Sequence, residues 1–261
     1  MKTGAKRSIL AGIMGVAVLF GAAHSAENVN RQTLCPPESD VPGQTILLVD
    51  TTDLLPLLAH ESLKPVLKGL ITRGNEHYLL PKHKLIVYHV GAEVENLAQS
   101  LQVCNPGNPD DLSLWEKLIA GENEAKVKWR KFTGSVGSIL RALSTEQLQS
   151  EKSPLLETIA LVIARHASGI GVDKRKPTNL IVFSDMLQHS ARMSHYKSIP
   201  NPLELDRLAG YAEIRSDLKG VNVWIYYVQR PDLEHLQTLR HHDWWPQVIK
   251  HFGGKVKIRQ L

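Results

Sequence analysis

The sequence predicts a doubly wound α/β fold, a mostly parallel, Rossmann-like sheet with helices on both faces. Three observations carry this. Apolar runs of strand formers recur at 46–49 (ILLV), 83–90 (HKLIVYHV), 179–183 (NLIVF) and 221–228 (VNVWIYYV). They read as continuous rather than alternating, the pattern of strands buried on both faces. Between them lie segments with apolar residues at helical spacing, and strands alternating with helices make a parallel sheet.

The elements follow in order. Residues 27–43 contain Pro36, Pro37 and Pro42 and no periodicity, so they form an extended lead-in to a domain spanning 44–261. The first strand ends at Asp50, followed by Thr51, Thr52 and Asp53. Leu63, Val66, Leu67 and Leu70 predict a helix over 60–73, with Gly74 to end it and Pro65 confined to its first turn. A short extra strand is expected at 100–104, before the turn sequence Asn105-Pro106-Gly107-Asn108-Pro109. Residues 111–148 are charged and helical in pattern, anchored by Trp115, Leu118, Val127 and Trp129. Ser153 as N-cap, Pro154 at the first helical position and Glu157 in the first turn open a buried helix bearing Ile159, Leu161, Val162 and Ile163. A helix over 205–218, a segment helical over 231–252 with a break at Asp243, and an edge strand at 255–258 complete the chain.

The first 26 residues read as a secretory signal: Lys2, Lys6 and Arg7, then an uncharged apolar run from 9 to 23, then small residues Ala23, Ser25 and Ala26. The protein is expected in the periplasm or secreted. An uncleaved membrane anchor is the alternative, and the only expected route to a membrane. The net charge of +5 is partly a targeting feature, because this segment holds three of the cations and no acid. No basic stripe with interleaved aromatics argues for nucleic acid. Lys126, Lys128, Arg130 and Lys131 read as a solvated helix face. With two cysteines, Cys35 and Cys104, export favours a single disulfide; two buried thiols are the other reading.

Chemistry concentrates where strands end. Asp50 and Asp185 each terminate a buried strand, and Ser153 opens a buried helix. Ligands of open α/β sheets bind at the carboxyl ends of the strands, and oxygen donors are what Mg²⁺ and Ca²⁺ take. The plainer reading of Asp50 and Thr52 is a loop cap. His-Glu-x-x-His, Walker A, Gly-x-Gly-x-x-Gly and Gly-x-Ser-x-Gly motifs are all absent. His189 and His195 follow Asp185 in a loop. Trp224, Trp244 and Trp245 read as core.

The order of these features resembles the von Willebrand factor A domain and its metal-ion-dependent adhesion site, over about 45–258. The phrases Cys104-Asn105-Pro106-Gly107, Ser153-Pro154-Leu155-Leu156-Glu157 and Ser184-Asp185-Met186-Leu187-Gln188 resemble bacterial exported members. The resemblance implies a Mg²⁺ or Ca²⁺ site in which Asp50 and Thr52 stand for the family's Asp-x-Ser. Ser153 stands for its loop Thr, Asp185 for its fourth-strand Asp, and Asp53 is a polar neighbour. Leu54 falls where the second Ser belongs and cannot ligate. The family layout also brings the start of the first strand near the end of the short antiparallel strand, where Cys35 and Cys104 could bond. The expected function is a binding or scaffold module recognising a protein partner at the carboxyl edge of its sheet. Alternatives are a Mg²⁺-dependent hydrolase acting on phosphate groups and a metal-free structural envelope protein.

Overall fold

The structure is a computed structural model and describes residues 29–52, 55–91, 93–94, 97–113, 121–145, 152–168, 173 and 175–261. The segment expected to be a signal, Asp53, Leu54, Trp115 and Leu118 lie outside the described residues. Six strands form one sheet: β1 (Gln44–Asp50), β2 (Lys84–Val90), β3 (Gln99–Cys104), β4 (Thr178–Ser184), β5 (Val221–Tyr227) and β6 (Lys255–Gln260). Their order is β3-β2-β1-β4-β5-β6, and every pairing is parallel except β2 with β3. This is the expected doubly wound architecture. The strand order reverses at β1, the central strand, and all seven of its residues are buried.

Alternation along the strands builds two cores. Ile46, Leu48, Leu180, Val182, Val223 and Ile225 face α3 (Leu155–Ile163) and α5 (Leu239–His251), where Trp244, Trp245 and Val248 pack. Leu47, Val49, Val87, Ile181 and Phe183 face α1 (Leu55–Ile71) and α2 (Glu122–Thr145). Between β4 and β5 the chain forms a 3₁₀ turn, Pro202–Arg207, and the short helix α4 (Tyr211–Ile214). Among the described residues no helix is long and apolar enough to cross a membrane.

Several local expectations are corrected. Helix α1 starts earlier than predicted and runs through Pro65 at its interior. Burial of Leu63, Val66, Leu67 and Leu70 outweighs the lost hydrogen bond there. In α2 the buried anchors are Phe132, Val136 and Ile139. Val127 is exposed, while Trp129 packs half-buried against the core. Ser153 does not cap α3: Pro154 takes the cap position, helical residues begin at Leu155, and Gln188 Oε1 from the loop after β4 accepts the Leu156 amide. The expected 205–218 helix is broken by Gly210, whose φ of 78° is left-handed. Helix α5 runs unbroken through Asp243 and Pro246.

The lead-in is tied down as the two cysteines suggest. Cys35 and Cys104 form a disulfide with Cα atoms 4.8 Å apart. The Cys104 amide donates to the Thr33 carbonyl, extending β3's edge onto the lead-in. Glu38 pairs with Lys84 of β2 and with Lys176 before β4, spanning β1 at its amino end.

Candidate functional site at the carboxyl edge

β1 and β4 are paired in register through Val49 and Phe183, so Asp50 and Ser184 leave the sheet at the same level. The N-terminus of α3 closes over them. Asp50 is fully buried there and accepts four hydrogen bonds. Oδ1 receives the Thr52 amide at 3.0 Å and the Thr52 hydroxyl at 2.7 Å. Oδ2 receives Ser153 Oγ at 2.9 Å and Ser184 Oγ at 2.7 Å. One carboxylate thus joins β1, β4 and the start of α3. The Ser153 hydroxyl is turned towards Asp50 and does not cap α3.

Asp185 is held differently. Its Oδ1 accepts the Leu187 amide at 2.9 Å, and its Oδ2 lies 3.4 Å from the Arg230 guanidinium, with both side chains buried. Arg230 reaches on to Asp232 at 2.7 Å. Gln237 locks the same loops: it accepts from the Arg230 amide and donates to the carbonyls of Asp185 and Val228. Met186 sits at φ 62°, a left-handed conformation that is costly for this residue type. Its amide donates to Ser184 Oγ. The Trp245 indole donates to its carbonyl, and His241 Nε2 lies 3.1 Å from the same oxygen.

The electrostatics follow from burial. Desolvation pushes the Asp50 carboxyl up, and the hydrogen bonds from Thr52, Ser184 and Ser153 pull it back. Burial, and then repulsion from Asp50, push Asp185 up to about 7, against the Leu187 amide and Arg230. His195 and His241 are neutral near pH 7. His241 Nδ1 lies 2.7 Å from the Tyr227 hydroxyl, and its Nε2 lies 3.0 Å from His195 Nδ1. Desolvation lowers His195 to about 3 and His241 to about 4. His189 bonds Ser194 within its own loop at 2.9 Å.

Of the residues expected to hold a cation, Asp50, Thr52 and Ser153 are brought into direct contact. Asp185 lies one residue beyond Ser184 and faces Arg230, while Asp53 is outside the described residues. Among the described residues, no group of three His, Cys, Asp or Glu side chains is placed to hold a metal ion. The donor set still fits a hard cation in kind. The hydroxyls of Thr52, Ser153 and Ser184 keep lone pairs after donating to Asp50, and neutral oxygens beside a carboxylate are what Mg²⁺ and Ca²⁺ take. Arg230 competes with such an ion for Asp185.

Ser184, Arg230, Gln237 and the left-handed Met186 were not named as site residues from the sequence, although Ser184 and Met186 stand in one of the phrases quoted for the resemblance. Ser184 had a readable signal: it ends its strand as Asp50 ends β1. Arg230 and Gln237 had none, because loop paths decide where they reach.

Three large apolar side chains are exposed in the chain after β4 and at the start of α5. Tyr196, Leu203 and Leu239 are 41%, 69% and 83% exposed. Tyr196 stacks edge-on against His189. Arg240 donates to the Ile199 carbonyl and Trp244 to that of Pro200, docking this loop against α5 next to Leu239.

No protein-family model matches the chain, and no curated protein matches it. Among solved structures, the crystal structure of the human COPII-coat protein Sec24c is similar over 84% of this chain and 30% of its own. The identity is 15% and the TM-score 0.35, and at that level the likeness carries no argument about what this chain does.

Proposed function

We propose that this chain is a binding module that recognises a protein partner at the carboxyl edge of its sheet. The observation that supports it is the pairing of an exposed apolar surface, Tyr196, Leu203 and Leu239, with a buried polar network that fixes the loops carrying it. Exposed apolar groups beside a rigid scaffold suit recognition. The serines at this edge suit it too: Ser153 and Ser184 are buried and hold the start of α3 and the end of β4 together through Asp50. The test is affinity isolation from a cell-envelope extract with the wild-type chain and with Leu239→Glu. One species retained by the wild type and lost from the variant supports the reading. Equal retention by both removes this surface from it.

Mg²⁺ or Ca²⁺ is proposed as a second component. Thr52, Ser153 and Asp185 would hold it beside Asp50, and it would supply a positive centre for a partner carboxylate. Its test is thermal melting with each cation and with chelator. A Tm that rises with cation and falls with chelator supports it, and an indifferent Tm leaves Arg230 as the resident cation.

A further inference from the structure

We propose that the groove between α3 and α4 binds a small zwitterion, a molecule carrying both a primary ammonium and a carboxylate on an aliphatic frame. The groove encloses about 380 Å³, within the range of small-molecule sites. Glu157, Ala160, Leu161 and Ala164 recur at helical spacing, so one face of α3 forms its wall, with Ala212 of α4 and Val94 nearby. The small alanines leave the space open.

The chemistry comes from Glu157. It is 4% exposed, and its two oxygens are treated unequally. Oε2 accepts from Gln188 at 2.9 Å. Oε1 is buried and has no hydrogen-bond partner. A buried carboxylate oxygen without a donor is costly, and a ligand ammonium in the groove would supply one. Arg192 and Arg215 also line the groove. Arg192 is paired with Glu213 at 3.5 Å, whereas Arg215 is exposed and stands outside the ion pairs found among the described residues. This polarity selects the ligand. A plain anion would meet Glu157, a plain cation would meet two guanidiniums, and a zwitterion satisfies both ends. Val94 and Leu161 offer contact to an aliphatic side chain. The inference stands independently of the protein-partner reading, since it uses a different surface.

The chemistry is shared by free amino acids and short peptides, and calorimetric titration of the purified chain separates them. The probes are L-leucine and L-alanyl-L-leucine, with N-acetyl-L-leucine and L-leucinamide as blocked controls. Saturable binding of one or both zwitterions is expected, the tighter one identifying the source. Each blocked control should bind about tenfold more weakly or worse. Glu157→Gln and Arg215→Gln should each weaken binding by a similar factor. Arg215 is on the surface, so its variant keeps the test decisive if Glu157→Gln does not fold. Absence of saturable binding by either zwitterion at millimolar concentration overturns the proposal. So does N-acetyl-L-leucine binding as tightly as L-leucine, or an unchanged affinity in Arg215→Gln.

Discussion

Asp50 is the residue on which the carboxyl edge depends. Its side chain takes two donors on each oxygen, from β1, β4 and the start of α3. Hydrogen bonds to a charged group contribute about 1.5–3 kcal/mol each, and their loss is not additive because hydroxyls re-aim. Asp50→Ala should therefore cost about 3 kcal/mol in urea unfolding. Asp50→Asn keeps an acceptor for Thr52 and removes a buried charge, so it should cost about 1 kcal/mol or less. Equal losses in the two variants would contradict this account of the node. Asp50, Thr52 and Ser153 could be nominated from the sequence because a strand that ends in polar residues is a local pattern. Ser153's role could not be read correctly. A Ser before a Pro and an apolar run is a good local cap, and only the fold brings Asp50 within reach of its hydroxyl.

At the scale of elements, the strands were legible and the helix boundaries less so. Continuous apolar runs located β1, β2, β4 and β5, and the two cysteines located the lead-in clasp. Proline misled at Pro65. Pro65 and Pro246 both sit inside helices, because the buried faces of α1 and α5 outweigh a missing amide. That conflict is measurable. Interior proline is about 3 kcal/mol worse than alanine in a helix, offset by the stiffness it gives the unfolded chain. Pro65→Ala should raise the unfolding free energy by about 1–2 kcal/mol, and a lowered value would mean that the ring's packing matters more. The clasp makes a second prediction. The cysteines are 69 residues apart, and closing a loop of that length stabilises by about 4 kcal/mol in the chain-entropy model. Reduction, or a Cys35→Ala and Cys104→Ala double variant, should lower stability by about that amount in denaturant melts.

The whole molecule carries a pH dependence that composition does not reveal. Burial holds His83, His166 and His241 at about 4 and His195 at about 3, against an ordinary 6.5. Between these values the unfolded chain binds protons that the native chain refuses, so stability falls as the pH drops from 6.5 towards 4. Asp50 and Asp185, both raised by burial, act in the opposite sense: the native state keeps a proton the unfolded chain has lost. These histidines, with His77 lowered by burial in the same sense, outnumber two carboxyls, and the denaturation midpoint should fall steadily from pH 7 to pH 4.5. Twelve histidines are visible in the sequence, but which of them burial lowers depends on how the loops close over the sheet.

The same loops carry the central claim, that the carboxyl edge is a preformed surface for a protein partner. The most direct measurement is site-specific photo-cross-linking in the cell that makes the protein, with a photoreactive residue placed singly at Tyr196, Leu203 and Leu239, and at the distant exposed positions Leu80 and Val127. The account predicts one common cross-linked species from the three edge positions and none from Leu80 or Val127. Cross-links confined to the distant positions, or absent from all five, would contradict it.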